Sequence, residues 1–249
     1  MLFGGLATED IAQAAIESVA TIICVVDAAQ TRDVLFGPQG IAPGLPPGHI
    51  VVLCPTISPA DVEAIAAELG QRGVETVDAP MSGGPVRARD GTMSLMVACT
   101  DAVFARCQPL LDALSSKVFR ISQRVGDGAR TKLVNNLLAG INLVGAAEVM
   151  ALADRMGLDL NTTLDVIEQS SGQSWIGSDR MRRAIAGDLA PRAHMTLLAK
   201  DTGLAIGAAQ SVGFTGPLGE AASQVFAQAV RAGLAELDDG ALLGFLRRP

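Results

Sequence analysis

The sequence lacks several patterns that would assign it directly to a class of function. No apolar run is long enough to cross a membrane, because the stretch from Val19 to Val26 has only the length of a strand and ends at Asp27. The first residues show neither a basic region nor a cleavage pattern, so we expect no secretion signal. The net charge is −7 and no basic stripe is visible, which argues against nucleic acid as a partner.

Metal and disulfide sites are not indicated either. No C-x-x-C spacing occurs among the four cysteines, and His49 and His194 have no metal-ligand spacing and no paired nucleophile. Three of the cysteines lie in or beside apolar, strand-like runs. We therefore predict small buried thiols and a cytoplasmic location, in preference to disulfide or zinc roles, for Cys24, Cys54, Cys99 and Cys107.

The composition is that of a compact globular protein, with 49% hydrophobic and 18% charged residues in 249. In the first half, short β-branched runs alternate with helix signals, a pattern typical of a doubly wound α/β fold with a parallel sheet. Ser58, followed by Pro59, is expected to cap a helix. The predicted strands are 21–26, 51–53, 74–77, 93–98 and 117–121, and the predicted helices are 59–70 and 101–114.

The second half has helical spacing and little strand signal. A long helix is predicted from residue 129 to 156, and Gly157 is its expected C-cap. We place the boundary near residue 124, which gives an α/β domain at 1–124 and an all-helical domain at 125–249. The further predicted helices are 161–170, 175–186, 193–212, 217–232 and 238–246.

One motif follows the third predicted strand, in the segment Asp78-Ala-Pro-Met-Ser82-Gly83-Gly84. A hydroxyl followed by two glycines offers accessible backbone N–H groups, which suit a carboxylate or phosphate. Open α/β sheets bind ligands at the carboxyl ends of their strands, which favours a binding role over an ordinary turn.

A second motif opens the long helix, in the segment Gly126-Asp-Gly-Ala-Arg-Thr-Lys132-Leu-Val-Asn-Asn136. Lys132 and Asn136 are four residues apart and share one helix face, so both can reach one small polar ligand. A lysine on such an apolar helix can also simply extend to the surface. In an enclosed site, however, it can exchange a proton with a hydroxyl or carbonyl group.

Together the motifs resemble the β-hydroxyacid dehydrogenase family, which includes 3-hydroxyisobutyrate dehydrogenase and tartronate semialdehyde reductase. The resemblance implies a Rossmann-like domain, a helical domain built around the long helix, and NAD or NADP as cofactor. It also implies a small hydroxy acid as substrate and a homodimer or higher homo-oligomer. By resemblance, Ser82, Gly83, Gly84 and Asn136 bind the substrate, and Lys132 is the catalytic acid/base.

The resemblance also suggests residues near the cofactor. A Lys-Asp pair lies near the nicotinamide in the family, which implies this role for Lys200, although a surface ion pair is the alternative. The predicted ends of the first two strands would line the cofactor crevice. This implies dinucleotide contacts for Val25, Val26 and Thr56, with Gln30 nearby.

Two features depart from the family. Arg87 stands where glycine is common, and either contacts a hydroxylated substrate tail or is a solvated surface residue. The fingerprint G-x-G-x-x-G of the first βαβ unit is absent, so we expect an N-terminally incomplete Rossmann-like domain and poor NAD(P)H binding by this chain. An upstream segment of about fifty to seventy residues is expected to complete the protein, since a βαβ unit needs about thirty.

Two other functions remain open from the sequence. One is a truncated, cofactor-deficient relative that binds small carboxylic acids without redox activity, as the missing fingerprint suggests. The other is imine reduction on the same scaffold, against which Lys132 counts, because those relatives usually lack it. The leading hypothesis is an NAD(P)-dependent oxidoreductase that interconverts a small hydroxy acid and its oxo acid or semialdehyde.

Overall fold

A computed structural model describes residue 5 and residues 7–248 of the chain. The chain forms two compact units, Met1–Lys132 and Leu133–Pro249. The division falls within the long helix. The reason is that the first turn of this helix is hydrogen-bonded to Asp78 in the first unit.

The first unit contains a six-stranded sheet of order β1-β2-β3-β5-β4, in which β6 also pairs with β5. The strands are β1 (Ala20–Ile23), β2 (Ile50–Leu53), β3 (Glu75–Asp78), β4 (Met81–Ser82), β5 (Ser94–Ala98) and β6 (Lys117–Ser122). Among the described residues, β1 pairs only with β2.

The sheet is mixed, whereas the sequence predicted a parallel one. β1, β2 and β3 are parallel, as are β5 and β6, but β5 runs antiparallel to β3 and β4. The segment between β3 and β5 contains β4 and one six-residue helix, so no full crossover helix is available to bring β5 back in the parallel direction.

Helices cover both faces of this sheet, as the doubly wound prediction requires. Val51 and Leu53 point into one apolar cluster, and Ile50 and Val52 into another, because successive side chains of a strand face opposite ways. The helices of this unit are α1 (Ile11–Ile16), α2 (Ala28–Phe36), α3 (Pro59–Gly70), α4 (Gly84–Arg89) and α5 (Asp101–Leu114).

The predicted start of α3 is confirmed, since the Ser58 hydroxyl accepts a hydrogen bond from the Asp61 N–H at 3.0 Å. The helices α1, α2 and α4 were not predicted. They have six, nine and six residues, which is too short for helical periodicity to be visible in the sequence.

The second unit is helical, as predicted. Its core contains the fully buried side chains of Leu143, Met150, Met181, Phe226 and Leu242. The helices are α6 (Asp127–Arg155, which begins in the first unit), α7 (Leu160–Glu168), α8 (Trp175–Ile185), α9 (Met195–Ser211), α10 (Pro217–Ala229) and α11 (Leu242–Leu246).

By length and composition alone, α6 could cross a membrane, and no other helix among the described residues could. Leu143, Ala147 and Met150 on one side of α6 are nevertheless fully buried in the core of the second unit. This is the arrangement of a core helix.

The cysteine prediction is confirmed for Cys54, Cys99 and Cys107, which are buried, and is wrong for Cys24, which is exposed. Cys24 directly follows β1, which is an edge strand among the described residues and exposes Ile22 as well. Burial raises the pKa of the Cys54 thiol to about 12 and that of Cys99 to about 11. All four cysteines are free.

Candidate active site

The carboxyl ends of three parallel strands lie side by side at one edge of the sheet. The Cys54 N–H donates to the Ile23 carbonyl at the end of β1 over 3.0 Å, and the Ala79 N–H donates to the Leu53 carbonyl at the end of β2 over 2.8 Å. This edge is where open α/β sheets bind their ligands. The loops that leave it carry several of the predicted site residues.

The predicted cofactor residues of the first unit lie in two adjacent loops at this edge. Val25, Val26 and Gln30 follow β1, and Thr56 follows β2. Val25 and Val26 are in the loop and not at the end of a strand, because β1 stops at Ile23. The Val26 N–H donates to Gln30 Oε1 at 3.0 Å, which ties the two residues together. Neighbouring loops after parallel strands fit a dinucleotide.

The segment of Ser82, Gly83 and Gly84 connects β4 to α4. Ser82 ends β4, opposite Ser94 of β5, and the two strands are antiparallel. The sequence pattern predicted the motif directly after a parallel strand, and this prediction is wrong. Gly83 and Gly84 have φ angles of 137° and 68°, which favour glycine. Gly84 is the first residue of α4, and the first N–H groups of a helix have no acceptor within it. The backbone therefore has the form expected of an anion-binding turn.

Arg87 lies against this turn. A Cβ atom added to Gly83 would approach Arg87 Cβ to 2.8 Å, so the arginine stem covers the glycine and leaves no room for a side chain there. Arg87 is half-buried in α4. The stem of Arg87 thus packs on the predicted carboxylate site.

Asp78 links β3 to the start of α6. One of its oxygens, Oδ2, accepts hydrogen bonds from the Gly126 N–H at 2.8 Å and the Ala129 N–H at 3.1 Å. The residue is 1% exposed. Burial raises the pKa of Asp78 to about 6, and the backbone N–H groups oppose that rise.

Lys132 is buried, with 7% of its surface exposed. It lies in the second turn of α6, four residues before Asn136 in the same uninterrupted helix. The alternative of a lysine that extends from an apolar helix to the surface therefore does not apply. The residue is enclosed, as proton exchange with a small substrate requires.

In the second unit, Asn136 belongs to a chain of polar side chains. Asn136 Nδ2 donates to Asp201 Oδ2 at 2.6 Å, and Lys200 Nζ donates to Asp201 Oδ1 at 2.7 Å. Asn136 and Asp201 are both buried. The Lys200-Asp201 pair is therefore a partly buried ion pair whose carboxylate also binds Asn136.

Two acidic residues near these groups had no assigned role in the sequence analysis. Asp78 appeared there only as the first residue of a motif, and Asp201 only as the partner of Lys200. The sequence carries one signal for Asp78, since a carboxylate ends an apolar strand. The distance of 65 residues between Asn136 and Asp201 left no signal for their hydrogen bond.

Comparisons with known proteins identify the family. Residues 4–122 match the NAD binding domain of 6-phosphogluconate dehydrogenase. Residues 126–246 match the family described as NAD-binding of NADP-dependent 3-hydroxyisobutyrate dehydrogenase. The chain is 39% identical over 224 residues to L-threonate dehydrogenase of Escherichia coli O6:H1, covering 90% of this chain and 74% of that protein. The chain belongs to the β-hydroxyacid dehydrogenase family.

Other members of the β-hydroxyacid dehydrogenase family are also similar to this chain in sequence and structure. Human mitochondrial 3-hydroxyisobutyrate dehydrogenase is 34% identical over 220 residues, which cover 85% of this chain and 65% of that protein. A crystal structure of 3-hydroxyisobutyrate dehydrogenase from Salmonella typhimurium superimposes with a TM-score of 0.88 at 40% identity. The superposition covers 94% of this chain and 81% of that one.

This membership decides between the two main functions considered. The protein is an NAD(P)-dependent oxidoreductase of small hydroxy acids, and the hypothesis of an acid-binding relative without redox activity fits less well. Its cofactor is NAD or NADP.

Proposed function

We propose that the protein oxidises a small polyhydroxylated acid of the threonate type to the corresponding oxo acid or semialdehyde, and catalyses the reverse reduction. The observation that carries the proposal is the buried Lys132, one helical turn before Asn136, in a chain whose sequence is similar to L-threonate dehydrogenases. The position of Arg87 over Gly83 supports a substrate with hydroxyl groups beyond the carboxylate.

In this proposal the substrate carboxylate binds at Ser82, Gly83 and Gly84, where backbone N–H groups and a hydroxyl favour an anion. Asn136 donates to or accepts from the substrate, and Asp201 fixes its orientation through the 2.6 Å hydrogen bond. Lys200 completes this chain and lies near the nicotinamide.

Lys132 moves the proton. During oxidation its Nζ, as the free amine, takes the proton from the reacting hydroxyl, and during reduction the ammonium returns a proton to the new alkoxide. The nicotinamide, when bound, accepts or supplies the hydride. The residues that would hold this dinucleotide are Val25, Val26, Gln30 and Thr56, at the carboxyl ends of β1 and β2.

The test compares Lys132→Ala with Lys117→Ala, which removes an exposed lysine of β6. Lys132→Ala is expected to lower kcat for threonate oxidation by at least about a hundredfold, the usual contribution of an acid/base group. Lys117→Ala is expected to leave kcat unchanged. Equal turnover by the two variants would remove Lys132 from the mechanism.

The same assay tests the anion site. Threonate and the neutral polyol threitol differ in the carboxylate, so threitol is expected to be a poor substrate. If threitol is oxidised as efficiently as threonate, Ser82, Gly83 and Gly84 do not form a carboxylate site.

We also propose a homodimer that uses the exposed side of α6. At 3.6 residues per turn, four exposed apolar residues of α6 and Met156, which directly follows the helix, lie within an arc of about 60°. They are opposite the buried side that carries Leu143, Ala147 and Met150. This apolar stripe consists of Val134, Leu138, Val149, Leu152 and Met156. An exposed apolar stripe of this kind is typical of a protein–protein interface.

We further propose that the protein works in the cytoplasm. All four of its cysteines are free, as expected in a reducing compartment. Fractionation of cells that express the tagged protein would test this location.

A further inference from the structure

Asp78 connects the two sequence motifs through the backbone of the first unit. It is the last residue of β3, and the chain continues from it into the loop that carries Ser82, Gly83 and Gly84. Its carboxylate also accepts the N–H groups of Gly126 and Ala129, at and just before the first turn of α6. Lys132 follows Ala129 by three residues in that helix.

The acidic residue in the first turn of α6, Asp127, does not hold these N–H groups. Asp127 instead uses its side chain for Ser122 at 2.7 Å and for the guanidinium groups of Arg124 at 2.7 Å and Arg130 at 3.1 Å. The amide of Ala129, in the first turn of α6, and that of Gly126, just before the helix, are thus satisfied from β3, which fixes the start of the helix to the sheet.

Two glycines allow the carboxylate to reach the helix. Gly126 has a φ of 98°, a conformation that favours glycine. A Cβ atom added to Gly128 would lie 2.9 Å from Asp78 Cγ and 2.6 Å from the Met96 carbonyl oxygen. The backbone of α6 therefore packs directly on the end of β3 and the middle of β5.

We propose that Asp78 is a positioning residue, which fixes the height and rotation of α6 on the sheet and so holds Lys132 in its enclosed position. The positioning role of Asp78 depends on the proposed function in one respect only, namely that Lys132 is the acid/base. The physical basis is geometric: a helix whose first turn slides or rotates carries the side chain of its second turn with it.

The first experiment measures lysine accessibility and needs no turnover. The sequence has three lysines, Lys117, Lys132 and Lys200, and Lys117 is an exposed internal reference. The full chain is labelled with acetic anhydride, and each lysine is quantified by peptide mass spectrometry. In the wild type, Lys132 is expected to react about tenfold or more slowly than Lys117, because a buried amine reacts through local opening.

Asp78→Asn is the test variant and Asp127→Asn is the matched control, since both remove one carboxylate at the start of α6. Asp78→Asn is expected to raise the ratio of Lys132 to Lys117 labelling severalfold, and Asp127→Asn to leave it unchanged. An unchanged ratio in Asp78→Asn, or an equal rise in both variants, would overturn the proposal.

A second measurement uses the wild-type protein and applies even where Asp78→Asn does not fold. The amide resonances of Gly126 and Ala129 and the side-chain resonances of Lys132 are followed by NMR from pH 5 to 7.5. Of the titratable groups that interact with Asp78, Asp127 stays ionised because Arg124 lowers its pKa, and Cys54 stays neutral because burial raises its pKa to about 12. A common midpoint near pH 6 is expected. Amides that titrate while Lys132 does not would contradict the proposal.

Kinetics then separate positioning from a general loss of structure. Asp78→Asn is expected to lower kcat by about ten- to a hundredfold, the effect of a misplaced catalytic group, with the KM for the cofactor unchanged. A rise in that KM with kcat preserved would argue against positioning of Lys132. Absence of turnover in a wild type that binds NAD(P)H would instead count against the proposed function, and the labelling and NMR results would still decide the role of Asp78.

Discussion

Gly128→Ala is the substitution whose cost the structure defines most directly. The new methyl group would lie 2.6 Å from the Met96 carbonyl oxygen of β5 and 2.9 Å from the Asp78 carboxylate. Real Cβ atoms do not approach backbone oxygen this closely, so α6 must move away from the sheet. Overpacking of this kind costs about 1–3 kcal/mol. We take the upper end, because the obstacle is backbone and not a flexible side chain.

A helix-propensity gain opposes this cost. Replacing glycine by alanine within a helix contributes about 1 kcal/mol. The net expectation for Gly128→Ala is a loss of about 2 kcal/mol in the free energy of unfolding, and more if the Asp78 hydrogen bonds break. Gly70→Ala is the matched control in the same unit, since Gly70 ends α3 and an added Cβ there would have no neighbour within 4 Å.

The assay is urea unfolding followed by far-UV circular dichroism, with hydrogen exchange of the Ala129 amide as a local readout. Gly70→Ala is expected to be neutral or stabilising by up to about 1 kcal/mol. Gly128→Ala is expected to unfold at lower urea concentration and to exchange the Ala129 amide faster. The reasoning is refuted if Gly128→Ala matches the wild type in both measurements.

Three other predictions concern charge and assembly. The pKa of Asp78 in the folded protein, about 6, lies above its ordinary value of 3.8, so this group stabilises the fold at low pH. This stability, up to about 3 kcal/mol, is lost as the pH rises from about 4 through 6. The free energy of unfolding of the wild type, measured relative to that of Asp78→Asn, should fall by a corresponding amount over this pH range. Asp201→Asn weakens the hydrogen bonds that hold Asn136 and Lys200. It should raise the KM for the hydroxy acid about tenfold or more, because a hydrogen bond to a charged group is lost. Asp165→Asn, which changes an exposed carboxylate of α7, should leave this KM unchanged. Leu152→Glu should convert the dimer to a monomer, as measured by analytical ultracentrifugation. Val166→Glu on α7 should leave the mass unchanged. If Leu152→Glu is still a dimer, the apolar stripe of α6 is not the interface.

The sequence predicted the elements that depend on local patterns. The helix from Asp101 to Leu114 was predicted at its observed limits, and the long helix was predicted within two residues of each end. In both, apolar periodicity continues over several turns, so the local signal agrees with the tertiary packing. The short helices α1, α2 and α4 offer no such repeat, and β5 reversed its direction through a connection that sequence periodicity does not describe.

The site was predictable as residue types and only partly as contacts. Lys132 and Asn136 are four residues apart in one helix, so their shared face followed from helix geometry. Asp78 lies 48 residues before Gly126, and Asn136 lies 65 residues before Asp201, yet each pair is hydrogen-bonded. Contacts at this separation arise from the fold, and no local rule predicts them. The site roles themselves, and the roles of the two domains, stay predictions until the variants above are measured.

The exposure of Cys24 gives the protein a natural attachment point for a spectroscopic probe. The other three thiols are buried, and burial raises their pKa values, so a maleimide at neutral pH reacts at Cys24. This position directly precedes Val25 and Val26, in the loop proposed to contact the dinucleotide. A fluorophore or spin label on Cys24 would therefore report cofactor binding as a change in emission or mobility, without any engineered substitution in the chain.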